Sequence, residues 1–339
     1  MKVDRIIVSR TDNVGDVVLA LPMVGVLKKR YPSAEVLFLG RSYTKAVVDC
    51  CEHVDAFLDW EEIANQGTAA QAAFFRRQNA DVIIHVFPRK EIAVAAREAG
   101  IRYRIGTSHR FYHLLTCNRL AHFTRRKSEL HEAQLNVKLL RPLGVKEVPS
   151  LSELPAYYGL TKVNPLAENL KGLLAKQRLN VIVHPKSMGN ANEWSLENYA
   201  RLIDSLPEAR YQIFVSGTEE DEAAIGEQLP FDNSNVVSLL GKLKLSEFIA
   251  FASEADALVA ASTGPLHLAA ALGLHAIGLY APMRPRDPGR WGPVGEHAHA
   301  LVFDPDCETC GAGLVCDCIQ EISPAEIVDI LRPLADRRS

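Results

Sequence analysis

The sequence predicts an α/β protein of two doubly wound domains, each a parallel sheet with helices on its faces. Three observations carry this. Short apolar runs alternate with amphipathic stretches in two separate series. The 339 residues suit two domains, at roughly 150 residues each. No apolar stretch approaches the ~20 residues that span a bilayer. Hydrophobic residues at 47% and charged residues at 23% exclude a disordered chain.

In the first series, residues 5–9, 36–39, 56–58 and 82–86 read as buried strands, being short aliphatic runs bounded by polar turns. Between them, 17–30, 43–51, 61–78 and 91–99 read as helices. The second series has strands at 181–184, 212–216, 236–239, 257–260 and 276–280, separated by helices at 196–206, 219–228, 246–254 and 266–272. Strands alternating with helices imply parallel pairing through right-handed crossovers. The Pro-containing stretch 149–165 has little periodicity and is the expected boundary, giving domains 1–160 and 161–322. Residues 323–339 read as a terminal helix, with Ser323 as N-cap and Pro324 in the first turn. Whether that helix packs back on the N-terminal domain stays open.

The 38 Lys and Arg against 41 Asp and Glu give a net charge of −3, which argues against a dedicated nucleic-acid binder. The mean hides an asymmetry. Residues 1–150 hold 23 Lys and Arg against 16 Asp and Glu, a net of +7, and the remainder carries −10, so the halves plausibly meet different partners. The opening MKVDRIIVSR enters a strand without the apolar core of a signal peptide, which makes the cytoplasm the expected address. Seven cysteines in a chain this long are no disulfide framework.

Open parallel sheets bind ligands outside the carboxyl ends of their strands, so a cleft between two such domains is the expected active site. Four strand-to-helix turns qualify. In RTDNVGDVVLALP (10–22), Gly15 lets backbone approach a ligand and Asp16 stands at a helix start. Asp16 is either a helix cap favoured by the dipole or a general base. The dipole opposes a raised pKa, whereas desolvation and Asp12 favour it; the two readings stay open. In TGPLHLAAALG (263–273), a small-residue turn opens a helix and offers free N–H groups to a diphosphate. His267 there is a phosphate donor or a core histidine. In VHPKSMGNANEW (183–194), Lys186 and Ser187 can bind the same diphosphate or belong to a solvated loop. In SGTE (216–219), Glu219 can hold ribose hydroxyls or simply favour a helix start.

Neither GxGxxG nor a Walker-type GxxxxGK[ST] occurs, so dinucleotide redox chemistry and P-loop hydrolysis lose their main support. Residues 283–295 carry Arg284, Arg286, Arg290 and Trp291, a sugar- or phosphate-binding loop or a surface loop over a packed Trp. Cys307, Cys310, Cys316 and Cys318 supply enough thiolates for a tetrahedral zinc or iron site. A structural knuckle or a labile disulfide is favoured there over catalysis. Cys50, Cys51 and Cys117 read as core residues.

Taken together, these residues resemble glycosyltransferase family 9, the bacterial heptosyltransferase-like enzymes. The resemblance rests on VGDVVLALP (14–22), LKKRYP (27–32), HPKS with EW (184–194), SGTEED (216–221), TGPLHLAAALG (263–273) and LYAP (279–282). It implies the GT-B architecture, two Rossmann-like doubly wound domains facing a central cleft. It implies inverting transfer of a sugar, commonly heptose from an ADP-linked donor, to lipopolysaccharide core or a related surface glycan, with no cofactor required for catalysis. By resemblance Asp16 is the base, Ser187 lies in the donor-phosphate loop, Glu219 holds the ribose and Leu243 lies near the base pocket. Thr263, Gly264 and His267 form the diphosphate-binding helix start.

The chain departs from the family pattern twice. Ser262 stands where many members carry Asp, altering a sugar-hydroxyl contact. Asn192 stands where many carry Lys, leaving Lys186 to supply that charge. The implied partners are a nucleotide-sugar donor such as ADP-heptose and a glycolipid or glycan acceptor, with no nucleic acid. The donor falls to the C-terminal domain and the acceptor to the N-terminal one. There Arg102, Arg104, Arg110 and the Arg125, Arg126, Lys127 run suit a phosphorylated glycolipid at the cytoplasmic face of the inner membrane, or form solvated faces. Two rivals remain: a non-catalytic sugar-nucleotide or glycan-binding protein on a degenerate copy of the fold, and a sugar-nucleotide epimerase.

Overall fold

Short runs of three to six residues, mostly aliphatic, become the strands of two parallel sheets, because a strand covered by helices on both faces needs apolar side chains on both. The computed structural model describes residues 2–126, 128–187, 189, 192–314 and 316–338. The chain divides into two compact units, Met1–Lys162 and Val163–Ser339. In the first unit the strands are β1 (Arg5–Ser9), β2 (Glu35–Gly40), β3 (Ala56–Asp59), β4 (Val82–His85), β5 (Tyr103–Thr107) and β6 (Arg119–Ala121), in the order β3-β2-β1-β4-β5-β6. In the second they are β7 (Leu179–His184), β8 (Tyr211–Val215), β9 (Val236–Ser238), β10 (Ala257–Ala261), β11 (His275–Leu279) and β12 (Ala298–Leu301), in the order β12-β11-β10-β7-β8-β9. Both units are thus doubly wound, as the sequence predicts. Strand order reverses between β1 and β4 and between β7 and β10, and such switch points are where α/β sheets receive ligands.

One face of the first sheet buries Ile7, Leu37, Leu39 and Ile83 against Phe75 and Ile92, which come from the helices Thr68–Gln78 and Lys90–Glu98. In the second unit Val181, Val183, Ile213 and Val259 pack with Trp194 and Tyr199. The terminal helix Pro324–Asp336 starts at a reciprocal capping box of Ser323 and Glu326. It buries Ile327, Leu331 and Ala335 in this same second-unit cluster. Among the described residues no helix is long and apolar enough to cross a membrane.

Three local expectations change. The single helix expected over 17–30 is two, Val14–Val18 and Leu21–Arg30. Pro22 explains the break: it has no N–H for the preceding turn and suits a new helix start. The helix expected over 61–78 begins only at Thr68, after Gly67 as N-cap. Strands β5, β6 and β12 were not anticipated, since Arg104, Arg119 and His299 interrupt their apolar runs.

Candidate functional site

The turn after β1 is organised around Arg10, which is only 3% exposed. A buried guanidinium needs partners for its donors. Its Nε lies 2.8 Å from Asp12 Oδ1, and one terminal nitrogen pairs with Asp16 Oδ1. The other lies 3.4 Å from both Glu132 Oε1 and Asn136 Oδ1. Glu132 and Asn136 stand on the helix Glu132–Lys138. Arg125 pairs with the same Glu132 and donates to Asn136 Oδ1 at 3.0 Å. Asn136 Nδ2 in turn donates to the Leu19 carbonyl at 2.9 Å, tying this helix to the end of the Asp16 turn.

Asp16 lies in the first turn of Val14–Val18, whose N-cap is Asn13. Its carboxylate pairs with Arg10, and as the acid of that first turn it is also favoured by the helix dipole. The cluster sets three carboxylates against two guanidinium groups. Burial pushes Asp12 up to about 7; Arg10 pulls it down, while Asp16 and Glu132 add to the rise. Burial works against the charge on Arg10, but Asp12, Asp16 and Glu132 outweigh it and raise its pKa. Sequence reasoning singled out Asp12, Asp16 and Arg125 but missed Arg10, Glu132 and Asn136. Arg10 and Glu132 are 122 positions apart, and no local pattern joins them.

The residues expected to bind the donor all lie in the second unit, at the carboxyl ends of four neighbouring strands. Lys186 and Ser187 follow β7, Glu219 follows β8, Leu243 follows β9, and Ser262, Thr263, Gly264 and His267 follow β10. Hydrogen bonds join adjacent turns: His184 Nδ1 to Ser216 Oγ at 3.0 Å, and the Gly241 N–H to the Gly217 carbonyl at 3.1 Å. Capping of the helix Glu219–Ile225 is done by Thr218 and Asp221, each bonding the other's backbone N–H. Glu219 itself is left exposed, and Leu243 is half-buried.

Thr263 is the N-cap of Gly264–Ala271 but makes no side-chain cap bond. Its buried Oγ1 has no partner among the described residues. His267 is buried in the first turn of that helix. The Tyr280 phenol donates to the Trp291 carbonyl at 2.7 Å. Trp291 is half-buried, while Arg284 and Arg286 are exposed.

Lys186 and Ser187 are held by a residue that sequence reasoning left without a role. Glu193 Oε1 accepts from the Ser187 backbone N–H at 2.8 Å and from its hydroxyl at 2.9 Å. Glu193 Oε2 pairs with Lys186 Nζ. Burial opposes the charge on Glu193, yet Lys186 and Ser187 prevail and lower its pKa. The segment is backed by Gln320, whose Oε1 accepts from the Ser195 N–H and whose Nε2 donates to the Glu193 carbonyl, both at 2.8 Å. Trp194 Nε1 donates to the Ile322 carbonyl at 3.2 Å.

Gln320 follows directly on the cysteine cluster. The ligand atoms of Cys307, Cys310, Cys316 and Cys318 all lie within 4.8 Å of one another. Cys316 Sγ is 3.0 Å from Cys318 Sγ and 3.6 Å from Cys307 Sγ, well beyond the ~2.05 Å of a disulfide, and all four are free thiols. Thiolates at ~2.3 Å from one tetrahedral ion would stand about 3.8 Å apart, so the cluster fits a single metal. Cys50, Cys51 and Cys117 are buried free thiols, as core residues should be.

A carboxyl whose folded pKa lies above its unfolded value binds its proton first in the folded state. It therefore costs stability above the folded pKa and none below the unfolded one. Asp12, raised from 3.8 to about 7, sets that window. Urea unfolding of Asp12→Asn and the wild type across it should show the variant gaining relative stability as pH rises, on the order of a few kcal/mol in total, then levelling off. A difference independent of pH would contradict this.

Comparison with known proteins places the geometry. Residues 72–312 match the family described as "Glycosyltransferase family 9 (heptosyltransferase)". A Haemophilus influenzae protein named "Putative glycosyltransferase" is 30% identical over 314 residues, 89% of each chain. The solved ADP-heptose lipopolysaccharide heptosyltransferase II of E. coli superimposes with a TM-score of 0.75 at 18% identity, covering 98% of this chain and 99% of that one. A more distant structure, the iron-containing dodecameric glycosyltransferase TibC of enterotoxigenic E. coli H10407, gives 0.54 at 12% identity, covering 100% of this chain and 78% of that one. With two thirds of its length matched by the family description and a relative at this identity along most of it, the chain belongs to glycosyltransferase family 9.

Proposed function

We propose that this glycosyltransferase moves a heptose or similar sugar, with inversion, from an ADP-linked donor to lipopolysaccharide core or a related bacterial surface glycan. The observation that carries the reading is the alignment of the four donor-side turns on adjacent strand ends of one sheet, with Asp16 at the switch point of the other. The name of the similar E. coli enzyme, an ADP-heptose lipopolysaccharide heptosyltransferase, supports the donor class.

In this reading Asp16 takes the proton of the acceptor hydroxyl as that oxygen attacks the anomeric carbon. The bond from that carbon to the phosphate oxygen breaks, and its electron pair leaves with the nucleoside diphosphate. Attack opposite the leaving group inverts the centre and needs a single base. Charge growing on the diphosphate is met by the N–H groups opening Gly264–Ala271, by Thr263 and His267, and by Lys186 and Ser187. Glu219 holds the ribose and Leu243 packs on the base. Ser262 lies on the sugar side of the same turn, where it alters a hydroxyl contact. Glu193 holds the very donors that a phosphate would use, so we infer that the diphosphate takes them over from it.

The acceptor, a glycolipid or glycan, belongs to the first unit in this reading. Nucleotide sugar and lipid-linked acceptor meet at the cytoplasmic face of the inner membrane, where we place the protein as a peripheral component. The cysteine cluster would hold one structural zinc or iron ion, for which four thiolates are suited; the iron of TibC is the supporting precedent.

Three measurements test this. Asp16→Asn should lower transfer by about 10² or more while leaving ADP affinity unchanged; transfer at the wild-type rate would remove Asp16 as the base. By titration calorimetry, Lys186→Ala should weaken ADP binding about tenfold and Glu193→Gln should tighten it. No change in either variant would move the diphosphate elsewhere. Elemental analysis of the purified protein should find one zinc or iron per chain, lost in Cys318→Ser together with several degrees of Tm; a metal-free wild type would leave the cluster a thiol knuckle.

A further inference from the structure

Between Glu98 and Glu129 the chain has no acidic residue and seven Arg and Lys, a surplus equal to that of the whole first 150 residues. This stretch builds β5, the helix Phe111–Thr116 and β6, the last strand at one edge of the first sheet. Two of its cations turn inward: Arg104 to the Thr116 carbonyl and Arg125 to Glu132. Arg102, Arg110, Arg119 and Arg126 are exposed, and Lys127 lies outside the described residues.

The helix at the centre of this stretch is inside out. A helix on a globular surface normally buries its apolar stripe and exposes its polar face. Here His113 and Thr116 are buried. Each makes a local bond, His113 Nδ1 with the Thr107 carbonyl at 3.0 Å and Thr116 Oγ1 by donation to the Tyr112 carbonyl at 2.7 Å. Phe111, Leu114 and Leu115 share the opposite face, at the spacing of helical neighbours, and are 78%, 52% and 61% exposed. Gly106 makes the arrangement possible: a Cβ there would lie 2.5 Å from His113 Nδ1.

We propose that this face docks on an anionic lipid bilayer, with Phe111, Leu114 and Leu115 entering the headgroup boundary and the four exposed arginines meeting lipid phosphates. Reversible anchoring needs two signals, and an apolar insertion beside a basic patch supplies both. A second copy of this chain is a poor occupant, because a two-fold contact over the helix would bring the same arginines together. The inference deepens the reading of a lipid-linked acceptor by naming the element that meets the lipid. Its readout is partition and not sugar transfer, so each can fail without the other.

The test floats the full chain with vesicles of phosphatidylglycerol and phosphatidylethanolamine, and with phosphatidylcholine alone, at low and high salt. The wild type should bind the anionic vesicles, less so at high salt, and bind phosphatidylcholine weakly. F111S/L114S/L115S should lower the bound fraction at least about tenfold. Because these side chains are exposed, its Tm and ADP affinity should match the wild type. R110E/R119E should abolish binding at low salt. A wild type that stays off anionic vesicles, a triple variant that floats like the wild type, or a wild-type dimer that the triple variant makes monomeric would each overturn the proposal.

Discussion

Taking a guanidinium out of water costs several kcal/mol unless charge and hydrogen bonds are returned to it, and the first unit is built to return them to Arg10. Asp12 and Asp16 come from its own turn, while Glu132 and Asn136 come from a helix far along the chain. Arg10 thus closes a long loop and aims the Asp16 carboxylate in the same act. Lysine could not replace it: a single ammonium lacks the planar fork that reaches partners in three directions. The arrangement also sets its own limit. Three carboxylates meet two cations, and the excess falls on Asp12, whose proton is held far above the ordinary range.

The second unit positions its chemistry by a different device, a side-chain amide. Gln320 uses both ends of that amide on the backbone of the Glu193 segment, and its own carbonyl accepts from Asn198. Glu193 in turn holds Lys186 and Ser187. The loop on the ligand side of β7 is therefore braced from behind by the segment that leaves the cysteine cluster. Cys310 and Cys318 belong to the same core as Trp194 and the terminal helix. A cluster so placed acts on the loop through its backing.

Strands buried on both faces are legible because their aliphatic runs are unbroken, which is why β1, β4, β7 and β10, and the turns they feed, could be read directly. β5 and the edge strand β6 could not, because Arg104 and Arg119 sit where a run would otherwise continue. The partners of Arg10, and Glu193 as the residue that occupies Lys186, are facts of tertiary contact that spacing does not encode. The inverted helix is the instructive failure. Periodicity can reveal that Phe111, Leu114 and Leu115 share a face, but the inference that an apolar face turns inward is a rule about energetics. Local hydrogen bonds to His113 and Thr116 reverse it.

In the function proposed above, the charge of each unit favours dividing acid–base work and diphosphate binding between them. A diphosphate brought beside Asp12, Asp16 and Glu132 would meet surplus negative charge in a partly dry site, where like charges repel strongly. The positive residues of the first unit do not relieve this, because Arg10 and Arg125 are already committed to those carboxylates. The second unit carries a net negative charge, but the one carboxylate described at the end of β7, Glu193, is already paired with Lys186 and Ser187. In that reading an anionic base and an anionic leaving group are kept apart by acting on opposite sides of the carbon being transferred, which is the arrangement that inverts the anomeric centre.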